Sequence, residues 1–359
     1  MLFSRSQVYL GFLSLAELAV AAPASGTPQW TTLTSLPRPR QEHGIAAIDD
    51  NTIAVVGGGY PGSDGVLETI SSMVLYDIPS NTWRNATSVP FSVNHPNVVA
   101  VDGLLYVLGG LVVAAEPPAG LAFSWIASGE SHVYDAGTDS WAQLASMPPG
   151  TERGSAIVGV SDEMVYLAGG MTVLNADGYQ DAVTLVTAYN TTADEWVRLP
   201  ALAADIPEGR QHGTGAIVGH KFYVVGGRWF SQAAVRDTVF VLDLNDQESG
   251  WTTNEERMPT ARGGLSGAAV NDQFYTFGGE GDPNTFNGVF PETEVLDTTT
   301  GAWTKLAPMA VPRHGTQAVA VGNGIYIPGG GLQQDGKAVT INNVTTYGNT
   351  SDTFDVLRV

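Results

Sequence analysis

Six Gly-Gly pairs divide this chain into units of nearly constant length, and that regularity limits what it can fold into. The pairs are Gly57-Gly58, Gly109-Gly110, Gly169-Gly170, Gly226-Gly227, Gly278-Gly279 and Gly329-Gly330, spaced by 51 to 60 residues. Each ends an apolar run: "IAVVGG", "LLYVLGG", "MVYLAGG", "KFYVVGG", "QFYTFGG" and "GIYIPGG". Five units then carry an alternating run, a turn and a tryptophan, namely Trp83, Trp141, Trp196, Trp251 and Trp303. Short alternating runs bounded by turn residues read as strands, and glycine at a strand end allows close backbone approach. A unit of about 50 residues with these marks predicts four strands per unit, stacked radially as a β-propeller.

The sixth unit stops at "DTFDVLRV" (352–359) without its tryptophan. The missing piece stands at the other end, where "QWTTLTSLPRPR" places Trp30 and an exit like those that follow the other tryptophans. The N-terminal strand is therefore predicted to complete the last blade and close the ring, which removes the open edges that would pair with other chains. The Gly-Gly ends, the period and the tryptophans together resemble kelch repeats. The expected fold is all-β, one six-bladed kelch β-propeller over residues 28–359. The tryptophans read as packing wedges between blades.

Composition removes several classes of function. With 16 Lys and Arg against 36 Asp and Glu the formal charge is −20, which excludes binding to nucleic acid by counterion release. There are no cysteines, so disulfides, thiolate catalysis and Cys-ligated metals are out, as is the Cys–Tyr cofactor of galactose oxidase, another kelch propeller. Residues 1–22, "MLFSRSQVYLGFLSLAELAVAA", read as a secretory signal, with Arg5 ahead of an apolar stretch and small residues at its end. That stretch is too short to span a membrane. Sequons at Asn85, Asn190, Asn343 and Asn349 are candidate glycosylation sites and agree with a secretory route.

In a kelch blade, the residues just before inner strand a and just after Gly-Gly meet on one face, around the axis. Here the pre-strand segments are rich in polar groups: Arg40, Glu42 and His43; Asn94 and His95; Glu152 and Arg153; Arg210, Gln211 and His212; Arg262; Arg313 and His314. Four of the six histidines fall there, at what reads as one structural position, and a polar collar at the mouth of a pocket is expected. The histidines come from different blades without the local spacing of a zinc site, so no metal is expected. The second b–c loop, "GGLVVAAEPPAGLAFSWIASGE", is long and apolar for an exposed loop. It reads either as a lid on its own blade or as the wall of an apolar pocket, joined by Trp229, Phe230, Phe286 and Phe290.

A cysteine-free six-bladed kelch chain with these features resembles the secreted kelch-type hetero-Diels–Alderases of fungal tropolonic sesquiterpenoid biosynthesis. That resemblance implies dehydration of a hydroxymethyl tropolone-type polyketide to a quinone methide, then cycloaddition with a humulene-type terpene, without a cofactor. On it, His212 and His314, with His43 and His95, are acid or base groups. Arg210, Arg262 and Arg313 clamp substrate oxygens, with Arg153, Arg228 and Glu280 beside them. Trp125, Trp229 and Phe230 wall the terpene. A non-enzymatic secreted binding module, or a mutarotase-like sugar enzyme, would use the same face.

Overall fold

The computed structural model describes residues 27–61, 67–341, 344–346 and 349–359. The signal segment 1–22 and Asn343 lie outside the described residues. Six antiparallel sheets, each with four strands in the order a-b-c-d, form the six blades of a propeller. Blade 1 is built from Gly44–Ala47, Thr52–Val56, Met73–Asp77 and Thr82–Ala86, and blade 4 from Thr214–Val218, Lys221–Val225, Val239–Asp243 and Trp251–Thr253. One 3-10 turn, Gln247–Ser249, precedes the last of these strands.

The ring closes as the sequence predicts. Gln29–Thr32 pairs antiparallel with Phe354–Arg358, placing Trp30 opposite Leu357 and completing blade 6. Alternation along strands b and c buries both faces between neighbouring blades: Ile53, Leu105, Leu167, Phe222, Phe274 and Ile325 are each fully buried. Five of the six blade tryptophans, all but Trp303, add a polar tie to their packing. The indoles of Trp83, Trp141, Trp196, Trp251 and Trp30 donate to the backbone carbonyls of Thr34, Thr87, Ala145, Ala203 and Ala307, each in the segment that follows the previous blade's outer strand. Each wedge thus fixes the angle between blades as well as filling the gap.

The second b–c connection differs from the loop that its length suggests. Strands Leu104–Val113 and Ser124–Asp135 run on past the blade as a long hairpin, and Val173–Asn175 of the third b–c connection adds to its edge. Leu111, Trp125 and Met171 form a small core of their own there. The apolar residues that look surplus to a loop belong to a β-wall standing above the propeller face.

Candidate functional site

Immediately before strand a, each blade makes a one-residue bridge to the segment after its Gly-Gly pair. The pairs are Gln41 with Gly59, Asn94 with Leu111, Gly154 with Met171, Gln211 with Arg228, Gly263 with Glu280 and His314 with Gly331. The next residue in every blade turns into the left-handed region: Glu42, His95, Ser155, His212, Gly264 and Gly315, with φ between 49° and 62°. Four of these are not glycine, a conformation costly to non-glycine residues and concentrated at functional sites. The turn carries the backbone around the axis. Glu42 N donates to Gly315 O, His95 N to Glu42 O, Ser155 N to His95 O, Gly264 N to His212 O and Gly315 N to Gly264 O, at 2.6 to 3.0 Å. At the sixth junction His212 N donates to Ser155 Oγ instead, at 3.1 Å. At Gly315 a Cβ would stand 2.3 Å from Glu42 Oε1, so a larger residue there would displace that carboxylate.

This collar separates two cavities. Beneath it runs an axial channel of about 310 Å³ lined by strand-a residues such as Ile45, Val98, Ile157 and Ala318, with no titratable group. Above it opens a cavity of about 520 Å³. Its floor is polar, made of Gln41, Glu42, His95, Gln180, His212, Arg228 and Asp335. Its wall is apolar, with Trp125 and Phe123 of the blade 2 hairpin beside Leu67 and Leu174.

At the centre of the floor His95 Nε2 lies 3.0 Å from Glu42 Oε2 and 2.9 Å from His212 Nε2, and His212 Nε2 is 3.8 Å from the same carboxylate oxygen. The neighbouring amides set the tautomers. Asn94 donates its Nδ2 to Thr69 Oγ1 at 2.8 Å, so its Oδ1 accepts from His95 Nδ1 at 2.6 Å. Gln211 donates its Nε2 to Gln180 Oε1, and its Oε1 accepts from Arg228 Nε and from His212 Nδ1. With both Nδ1 atoms donating to amide oxygens, two Nε2 atoms face each other at hydrogen-bond distance, an arrangement satisfied by a proton shared between them beside the Glu42 carboxylate or by a bound cation. Burial, with the Arg228 charge, holds His212 well below its usual pKa. Burial pushes the Glu42 carboxyl up, but its contacts with His95 and the nearby His212 outweigh that and hold it well below the carboxylate range.

A second network borders the first. Arg228 Nη1 donates to the buried Glu280, whose other oxygen is 3.5 Å from His314 Nδ1. Gln41 Nε2 donates to both oxygens of Asp335, at 3.0 and 2.9 Å. Burial raises the Asp335 carboxyl to about 6, with the His314 charge opposing. Among the described residues, two sets of possible metal ligands converge, Glu42 with His95 and His212, and Glu42 with His314 and Asp335, each within 4.8 Å. Chain spacing does not anticipate them, because ring closure and not local sequence brings them together.

The expected site residues therefore separate. His95, His212, Arg228 and Trp125 line the cavity. The four histidines occupy three successive positions instead of one: His314 precedes the collar position, His95 and His212 hold it, and His43 follows it. His314 is wholly buried with Nε2 2.8 Å from Gln333 O, and with Glu280 it braces the floor from outside. His43 is packed below the collar near Thr316, where burial, then the Arg40 charge, lowers its pKa to about 3.

The arginines expected to clamp substrate belong to the scaffold. Arg153, Arg210, Arg262 and Arg313 are fully buried. Arg153 donates to Gly169 O and Leu167 O, Arg262 to Gly278 O and Glu294, Arg313 to Ile327 O and Asp355, and Arg210 to Glu208 and Thr238. Each satisfies backbone or acidic groups within its own blade. The glycine is required beside them, since a Cβ at Gly278 would come 2.1 Å from Arg313 O. Trp229 and Phe230 meet edge to face with ring centroids 5.0 Å apart, with Arg236 over Trp229, and are exposed outside the cavity lining. Phe286 is exposed too, and Phe290 is buried. Of the sequons, Asn85 is exposed on an outer strand, Asn190 is half-buried, and Asn349 is exposed at the cavity rim.

Asp335, Gln180, Leu67 and Leu174 are floor and wall residues that nothing in the sequence singles out, whereas Glu42 and Phe123 are expected there only as members of the collar and of the second b–c loop. One signal does mark Glu42: it stands two residues after Arg40, as His212 stands two after Arg210 and Ser155 two after Arg153.

Comparison with known proteins agrees with this architecture. The KLHDC2/KLHL20/DRC7 Kelch-repeats domain matches residues 24–227 and 211–357. The chain is 39% identical over 336 residues to Kelch-like protein terF of Aspergillus terreus, covering 91% of this chain and 70% of that protein. It is 26% identical over 292 residues to Kelch-like protein 34 of Homo sapiens, covering 78% of this chain and 41% of that longer protein. The chain belongs to the kelch-repeat family.

Proposed function

We propose that this kelch-repeat propeller is an enzyme of fungal secondary metabolism that dehydrates a hydroxymethyl tropolone-type polyketide and guides its hetero-Diels–Alder reaction with a humulene-type terpene. The observation that carries this reading is the division of the cavity, with proton-handling groups on the floor and Trp125, Phe123, Leu67 and Leu174 on the wall. Such a site holds a polar, acidic ring at one end and a hydrocarbon at the other.

In the first step the ring hydroxyl loses its proton and the hydroxymethyl carbon loses its hydroxyl. The hydroxyl takes a proton and leaves as water, which gives the quinone methide without a change in redox state. Asp335, with its carboxyl raised to about 6, donates to the leaving hydroxyl, and neutral His212 accepts the ring proton. Arg228 stabilises charge on the ring oxygens. The cycloaddition then forms one C–C and one C–O bond, and the apolar wall orients the terpene and excludes water that would quench the intermediate. Entry into the secretory pathway belongs to the same proposal, carried by residues 1–22 and the sequons.

The test is incubation of the purified protein with the tropolone alcohol and the terpene, followed by mass spectrometry and chiral chromatography. Rapid formation of one stereoisomer supports the reading. A product distribution equal to that in buffer overturns it.

A further inference from the structure

We infer that Glu42, His95 and His212 form a binding site for a divalent transition-metal ion of the zinc type. The three ligand atoms, Glu42 Oε2, His95 Nε2 and His212 Nε2, make a triangle with edges of 3.0, 2.9 and 3.8 Å. A tetrahedral ion with bonds of about 2.0–2.1 Å places its ligand atoms about 3.3 Å apart, so the triangle matches one face of such a polyhedron. Both imidazoles are already in the ligating tautomer, since their Nδ1 atoms donate to Asn94 Oδ1 and Gln211 Oε1. This is the outer-shell arrangement that orients metal-bound histidine. It also removes the conflict of two Nε2 lone pairs at 2.9 Å, because the ion supplies the missing positive charge.

The ligands come from three blades and are held by the backbone collar, with Glu42, His95 and His212 all at left-handed φ. The rigid scaffold pre-forms the site, and the three residues line the cavity. Three protein ligands leave a position open to that cavity, as in catalytic and not structural zinc sites. Bound there, the ion polarises a ligand oxygen as a Lewis acid.

The site itself stands apart from the cycloaddition reading; only the identity of its oxygen ligand, a pair of vicinal tropolone oxygens, rests on that reading. With the ion in place His212 Nε2 is a ligand and those acidic oxygens arrive as the anion, their proton going to solvent; proton transfer to His212 belongs to the ion-free protein.

The experiment titrates Co²⁺ into the purified, chelator-treated full chain and records the visible d–d absorption, with Zn²⁺ competition followed by calorimetry. One equivalent with a four- or five-coordinate spectrum, displaced by Zn²⁺, is expected. His95→Ala and His212→Ala should weaken binding at least ~100-fold, and Asn94→Ala and Gln211→Ala ~10–100-fold through loss of the outer shell. His314→Ala removes none of the three ligands and should weaken binding less than either histidine-ligand variant. Melting curves establish that each variant is folded, and the wild-type titration decides even where a variant is not. Absence of the band and of binding heat in the wild-type protein overturns the proposal. So does binding that survives His212→Ala but is lost in His314→Ala, since that would place the ion at the neighbouring Glu42, His314 and Asp335 set.

Discussion

His95 Nε2 and His212 Nε2 lie 2.9 Å apart across the propeller axis, although 117 positions separate the residues in the chain. Replacing either tests what the floor does. His212→Ala should lower turnover by ~10²–10⁴-fold. His95→Ala leaves the Glu42 carboxylate buried without its nearest partner, and should lower stability by about 3 kcal/mol. Steady-state kinetics and denaturant melts on the two variants check both outcomes.

Asp335 should set the alkaline limb of the rate profile. Its carboxyl is raised to about 6 and donates only when protonated, so kcat/KM should fall as pH rises above that value. Asp335→Asn should remove this limb and leave a slower rate, reduced at least ~10²-fold.

Acid stability should depend on His43. Its folded pKa is lowered from 6.5 to about 3, by burial first and then by the Arg40 charge. The unfolded chain therefore binds the proton more readily, and the contribution is present above about 6.5 and lost as pH falls toward 3. Between those limits the group costs about 1.4 kcal/mol per pH unit. Urea melts from pH 7 to 4 in the presence of a chelator should show a slope smaller by one proton in His43→Gln.

Arg262 should matter for folding and not for chemistry. Removing it leaves the fully buried Glu294 with only Lys305 at 3.5 Å and Thr260, and takes a donor from the Gly278 carbonyl. Arg262→Ala should cost about 3–5 kcal/mol, while the folded fraction keeps the KM of the wild type.

The aromatic residues should divide in the same way. Trp125 lines the cavity, whereas Trp229 is exposed beside it. Trp125→Ala should reduce kcat/KM at least ~10-fold and erode stereoselectivity, and Trp229→Ala should change neither.

The fold was legible because its signals are local and repeated. The Gly-Gly pairs, the tryptophans and Trp30 at the wrong end of the chain specify blades and closure without knowledge of side-chain direction. The site was legible only to the level of the face. Arg210 and His212 are two residues apart, yet one points into its blade to bond Glu208 and Thr238 and the other into the axis. That difference follows from the one left-handed residue that each blade places in the collar, which periodicity does not reveal in non-glycine residues. Asp335 was hidden for another reason: it reaches the floor from the sixth b–c connection by bonding Gln41 of blade 1, a contact created only by ring closure.

The most direct test of the account is a crystal structure of the protein with the tropolone substrate or a stable analogue. The account predicts the ring oxygens on the floor, within hydrogen-bond or coordination distance of the Glu42, His95 and His212 group, with the ring or its terpene partner against Trp125. A ligand in the axial channel below the collar, or on the outer Trp229 and Phe230 patch with the floor untouched, would contradict it.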